Sequence, residues 1–216
     1  MKNRVVITGM GAVTPIGNDV NSFWDNIKKG TCGIDVIKSF DISNFKCKLA
    51  AEVKDFDVTV ALDKREARKM DKYCQYAMVA ADEAIKNSGL DLKAIDSEKL
   101  AVIVGSGIGG IGTIEKEHAK LMEKGPSRVT PYLIPMIIGN MAAGNIAIKY
   151  GAKGMCSSVV TACATGTNAI GDAFHMIQDG RADIIIAGGA EASISPLALA
   201  GFARSEEHTS ELQSQP

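Results

Sequence analysis

The sequence predicts an α/β fold with a largely parallel sheet. Three observations carry that expectation. Short β-branched runs at 4–8, 100–104, 157–162 and 183–187 alternate with longer stretches of helical spacing. Glycines fall where those stretches stop. The chain is 46% hydrophobic but only 5% aromatic, with 22 glycines, a mixture suited to helices packed closely on a sheet.

The first run, RVVIT at 4–8, ends at Gly9 and reads as a buried strand. A helix over 19–29 follows, with Val20, Phe23, Trp24 and Ile27 at helical spacing and Gly30 past its end. Residues 31–62 are irregular, with short strands expected near 34–37 and 49–53. The longest periodic segment, 64–88, places Met70, Tyr73, Ala77, Ala81, Ala84 and Ile85 on one apolar face. The strand at 100–104 opens onto the turn GSGIGG at 105–110, and a charged helix follows over 113–124. Pro131 and Pro135 interrupt the start of 130–150, which then becomes a small-residue helix. A strand over 157–162 leads into a helix over 165–178, stopped at Gly180, and a last strand covers 183–187.

Charge and cysteine usage narrow the function. A net charge of -1 on 216 residues argues against a nucleic-acid binder, which needs a basic excess. No apolar run approaches the length of a membrane span, and the N-terminus lacks the pattern of a secretory signal. The five cysteines contain no C-x-x-C pair, so neither a disulfide framework nor a zinc site is expected. A reduced, cytoplasmic protein is the expectation.

The segment SSVVTACATGTNAIGDAF at 157–174 carries the chemistry. Ala162, Ala164 and Gly166 leave little bulk around Cys163, where a strand is expected to bend sharply into a helix. Such an elbow lifts its central side chain out of the sheet. A helix N-terminus there favours an anion, and a thiolate is the nucleophilic form of cysteine. From the residues alone, Cys163 fits either a small core hydrophobe or a nucleophile. The glycines of 105–110 fit G-x-G-x-x-G after a strand, which raises dinucleotide binding, but no acid-ending strand follows at the required spacing. Lys64, Arg65, Arg68, Lys69 and Lys72 are expected on one helix face, as a solvated surface or a site for an acidic partner.

Five stretches together resemble a known family. They are VVITGMGAVTPIGN (5–18), GSGIGG (105–110), NMAAGNIAIKYGAKG (140–154), TACATG (161–166) and IIAGGAEASISPLALAGF (185–202). In order and spacing they look like the elongating, type II β-ketoacyl-[acyl-carrier-protein] synthases, over essentially all of 1–203. The resemblance implies a thiolase-like fold, of which this chain is the N-terminal half of a duplicated α/β/α arrangement. It implies Cys163 as the nucleophile that takes an acyl chain from acyl-carrier protein. It implies Ala162, Ile108, Leu133, Ile134 and Phe202 as substrate-binding, with Leu133 or Ile134 reaching a partner's tunnel across a homodimer interface. It implies Arg65, Arg68, Lys69 and Arg128 as carrier-protein-binding, and neither cofactor nor metal. Ketosynthases of polyketide assembly share every one of these motifs.

Two departures matter. The family draws two histidines and a lysine from a second half that this sequence lacks, and His118, His175 and His208 do not replace them, so the 216-residue chain is expected not to condense. Residues 204–216 hold one aliphatic residue, Leu212, and RSEEHTSELQS resembles a translated sequencing adapter. That tail is expected to be foreign or disordered.

Overall fold

The sheet is built around one fully buried strand. A computed structural model describes residues 3–213, with side chains described through residue 204. The elements in chain order are α1 (Val20–Lys28), β1 (Asp35–Val36), β2 (Leu49–Ala50), α2 (Lys64–Ala67), α3 (Lys72–Ser88), β3 (Leu100–Gly105), α4 (Ile111–Lys124), α5 (Leu133–Ile137), α6 (Met141–Tyr150), β4 (Cys156–Ser157), α7 (Thr165–Gln178), β5 (Ile184–Gly189) and α8 (Pro196–Gln213). Strands β4, β3 and β5 lie in that order, all parallel, with Leu100 opposite Ile184 and Gly105 opposite Gly189.

Alternation along β3 explains the layers. Val102 and Val104 point to one face, where α3 and α6 cover them with Tyr73, Cys74, Met78 and Ile146. Ala101 and Ile103 point to the other, covered by Ala169, Ala173 and Met176 of α7. Helices therefore sit on both faces of a parallel sheet, as the alternating pattern predicts. The small hairpin of β1 and β2 lies apart from that sheet.

Three expectations change. The segment 64–88 is two helices, because Asp71 takes an extended backbone and starts α3 afresh. Its buried carboxylate accepts from Tyr73 N at 3.1 Å, Thr113 Oγ1 at 2.6 Å and Thr113 N at 3.1 Å, which ties α3 to α4. The basic residues 64–72 therefore do not share one helix face. Residues 4–8 are not a buried strand. They form no ladder, and Val6 and Ile7 are 58% and 78% exposed. The segment is anchored at its ends instead, with Asn3 N donating to Gln178 O of α7 and Ala12 N to Glu83 of α3. The third change is at 157–162, where only Cys156 and Ser157 pair with β3 before the chain leaves the sheet.

Helix α8 runs past Ala203 into the polar string. Residues 214–216 lie outside those described.

Asp71 gives a direct stability test. Replacing it with alanine removes a cap and two acceptor contacts to a buried threonine. Asp71→Ala is expected to cost about 2–4 kcal/mol in urea unfolding, and Asp71→Asn, which keeps one acceptor, about half of that.

Candidate active site

Cys163 stands exposed on a strained turn. After β4 the chain crosses the end of β3, makes a 3-10 turn over Ala162–Ala164, and enters α7 at Thr165. Helix α7 begins at Thr165, as expected from sequence, and the residues before it form the 3-10 turn in place of a strand end. Ala162 adopts φ +48, a left-handed conformation that costs a non-glycine residue about 1–3 kcal/mol.

Thr165 holds that strain in place. Its hydroxyl donates to Ala162 O at 2.7 Å and accepts from Thr161 N at 2.9 Å, while Ala164 N reaches Thr161 O at 3.0 Å. Thr165 is 4% exposed, so these bonds are largely shielded from water. Sequence reading places Thr165 only as the first residue of a helix. Its closing role depends on φ at Ala162, which no local pattern announces. The first turn of α7 carries no side-chain cap, so its amide dipoles open beside the elbow.

The glycine turn after β3 is pressed between this elbow and α5. A β-carbon at Gly105 would lie 2.2 Å from Val159 O and 2.4 Å from Thr165 Cγ2. One at Gly110 would lie 2.3 Å from Met136 O, and Gly110 N donates to Ile137 O. These glycines serve backbone packing. Helix α4 follows directly, then α5, with no second strand at dinucleotide spacing.

The turn carries Ile108 outward, 43% exposed. On α5, Leu133 is half-buried and Ile134 is 60% exposed. Phe202 on α8 is 53% exposed. The glycine turn that carries Ile108 approaches Ala162 at Gly107 and α5 at Gly110.

Of the basic residues, Arg65 lies on α2, Arg68 just past it, and Arg128 in the 3-10 turn Pro126–Arg128, all exposed. Lys69 pairs with Glu66 at 2.8 Å, and that carboxylate raises its pKa. Arg68 also lines a cavity of about 510 Å³ with Lys72, Lys116, Lys120 and Thr130, which joins the start of α3 to the region of Arg128.

The remaining titratable groups stand apart. His118 is exposed on α4, and His175 meets Phe174 edge to face. The side chain of His208 lies outside those described. Cys74 is buried between α3 and α6, and desolvation pushes its thiol up to about 11. Among the described residues, no helix is long and apolar enough to cross a membrane.

The model of the family described as "Beta-ketoacyl synthase, N-terminal domain" matches residues 2–215. The chain belongs to the β-ketoacyl synthase family. The 3-oxoacyl-[acyl-carrier-protein] synthase 2 of Staphylococcus aureus (strain COL) is 52% identical over 202 residues, which is 94% of this chain and 49% of that protein. The corresponding synthase of Synechocystis is 48% identical over the same shares. This β-ketoacyl synthase chain spans about half the length of the curated relatives it matches. A type II polyketide ketosynthase, solved with its acyl-carrier protein and bound to the hexaketide, superposes with a TM-score of 0.79 at 29% identity, over 94% of this chain and 55% of its own. The thiolase-like ketosynthase fold expected from the motifs is thereby shown.

Exposure and ionisation together predict the order of thiol reactivity. At pH 8 only about a thousandth of the Cys74 thiol is ionised, and it is buried. Peptide-resolved alkylation with iodoacetamide is expected to modify Cys163 at least about a hundredfold faster than Cys74. Equal rates would contradict the elbow geometry.

Proposed function

We propose that this chain is the N-terminal half of a 3-oxoacyl-[acyl-carrier-protein] synthase of fatty-acid elongation, with Cys163 as its nucleophile. The exposed thiol on a strained elbow, beside uncapped helix amides, is the observation that carries this reading. The thiolate attacks the thioester carbonyl of acyl-carrier protein, a new carbon–sulfur bond forms, and the carrier's thiolate leaves. Malonyl-carrier protein then loses carbon dioxide, its carbanion forms a carbon–carbon bond to the acyl group, and the Cys163 thiolate leaves. In this reading the backbone N–H of Cys163 serves as one oxyanion donor.

Around that centre, Ala162, Ile108, Leu133, Ile134 and Phe202 bind the acyl chain, and their exposure here fits an apolar wall that the remainder of the enzyme and a homodimer partner complete. Arg65, Arg68, Lys69 and Arg128 dock the carrier protein, a reading supported by the exposure of the three arginines, by Arg68 at the mouth of a cavity it shares with Lys72, Lys116 and Lys120, and by the solved neighbour's partner. Elongation is favoured over polyketide assembly because the relatives at 48–52% identity are 3-oxoacyl synthases, against 29% for the polyketide enzyme. The compartment we assign is the cytoplasm. Residues after about 203 are read as foreign to the synthase, on the resemblance of RSEEHTSELQS to a translated sequencing adapter.

Two outcomes test this in the complete enzyme. Cys163→Ala is expected to abolish transfer of a labelled acyl group from acyl-carrier protein, and retained labelling would refute the assignment. Charge reversal at Arg65, Arg68 and Lys69 together is expected to raise KM for acyl-carrier protein about tenfold with little change in kcat. An unchanged KM would reduce those residues to a solvated surface. The 216-residue chain alone is expected to give no condensation product.

A further inference from the structure

We infer that Glu191 is a positioning residue, which fixes the glycine turn against the Cys163 elbow and thereby sets how an acyl chain meets the nucleophile. The inference rests on Cys163 as the acyl-accepting thiol, and it concerns a carboxylate that no motif reading had singled out.

Glu191 lies just beyond β5, in the segment that Ala190 N ties to Gly105 O at 3.0 Å. Its carboxylate reaches across to the turn that follows β3. Oε2 accepts from Ile108 N at 3.1 Å, and Oε1 accepts from Ser106 Oγ at 3.3 Å and from Ala192 N at 3.3 Å. Ser106, 3% exposed, in turn accepts from Gly109 N at 3.0 Å. Every donor in this arrangement points at the carboxylate or toward the hydroxyl that donates to it. Both carboxylate oxygens are required as acceptors, which an amide side chain cannot match.

The mechanical consequence is read at Gly107. A β-carbon there would lie 3.1 Å from Glu191 Oε2, 3.5 Å from Ala162 O and 3.6 Å from Ala162 Cα. Gly107 therefore faces a narrow space bordered by both the carboxylate and the strained Ala162. Pulling the turn toward Glu191 sets both the depth of Ile108 and the contact behind Ala162. A polar side chain thus determines the relation between an apolar wall residue and the nucleophile, while touching neither thiol nor acyl chain.

The test uses the full chain and two thiol probes, iodoacetamide and its N-hexyl derivative, with rates at Cys163 read by peptide-resolved mass spectrometry and normalised to Cys47. The wild type is expected to favour the hexyl probe at Cys163. A misplacement of about 1 Å can cost a positioned reaction about a hundredfold, so partial loosening in Glu191→Ala is expected to lower that preference about tenfold, and Glu191→Gln, which keeps one acceptor, to fall between. Amide hydrogen exchange at 106–110 should rise in parallel. A hexyl preference unchanged in both variants overturns the inference. So does an equal slowing of both probes, which would mark a general role in folding. If Glu191→Ala does not fold, Glu191→Gln and Ser106→Ala decide by the same ratio. A wild-type Cys163 that alkylates but accepts no acyl group from acyl-carrier protein would sink the proposed function and leave this ratio measurable.

Discussion

The close approach of backbone at Gly105 is the constraint from which the rest of the site follows. Where β3 ends, there is room for no side chain between it, the Val159 carbonyl and the Thr165 methyl. The missing side chain lets the chain after β4 cross the end of the sheet, where it no longer pairs as a strand. The chain then reverses through Ala162 in a left-handed conformation, and the reversal leaves Cys163 facing outward. Strain of that kind persists only where surrounding bonds over-determine it. Thr165 supplies two of those bonds from within the first turn of α7.

The same turn links chemistry to recognition. On one side it meets the elbow, on another α5, and the end of β5 reaches it through Glu191. Apolar residues of the proposed acyl wall therefore hang from the backbone that supports the nucleophile. The basic residues are organised separately, around α2, the start of α3 and α4, where buried Asp71 and Glu117 brace the helices that carry them. A partner docking there need not disturb the elbow.

Much of this was legible in the residues. Strand β3 and helices α4 and α7 follow local apolar patterns, and their bounds in sequence and structure nearly coincide. The small neighbours of Cys163 signal an elbow from the sequence alone. What escaped reading depends on distant partners. The break between α2 and α3 is set by Asp71 meeting Thr113, 42 residues away. The 4–8 segment has the composition of a strand, but pairing needs a neighbouring edge, and composition does not say whether one is supplied. Glu191 and Ser106 meet across 85 residues, so neither looked more than ordinary in sequence. The elbow's 3-10 turn likewise reflects the Gly105 contact and no local propensity.

The most direct test of this account is solution NMR of the turn and elbow. It predicts a strong nuclear Overhauser effect between the Gly105 α-protons and the Thr165 methyl, together with scalar couplings that place φ of Ala162 in the positive region. A negative φ at Ala162, with no contact between Gly105 and Thr165, would contradict it.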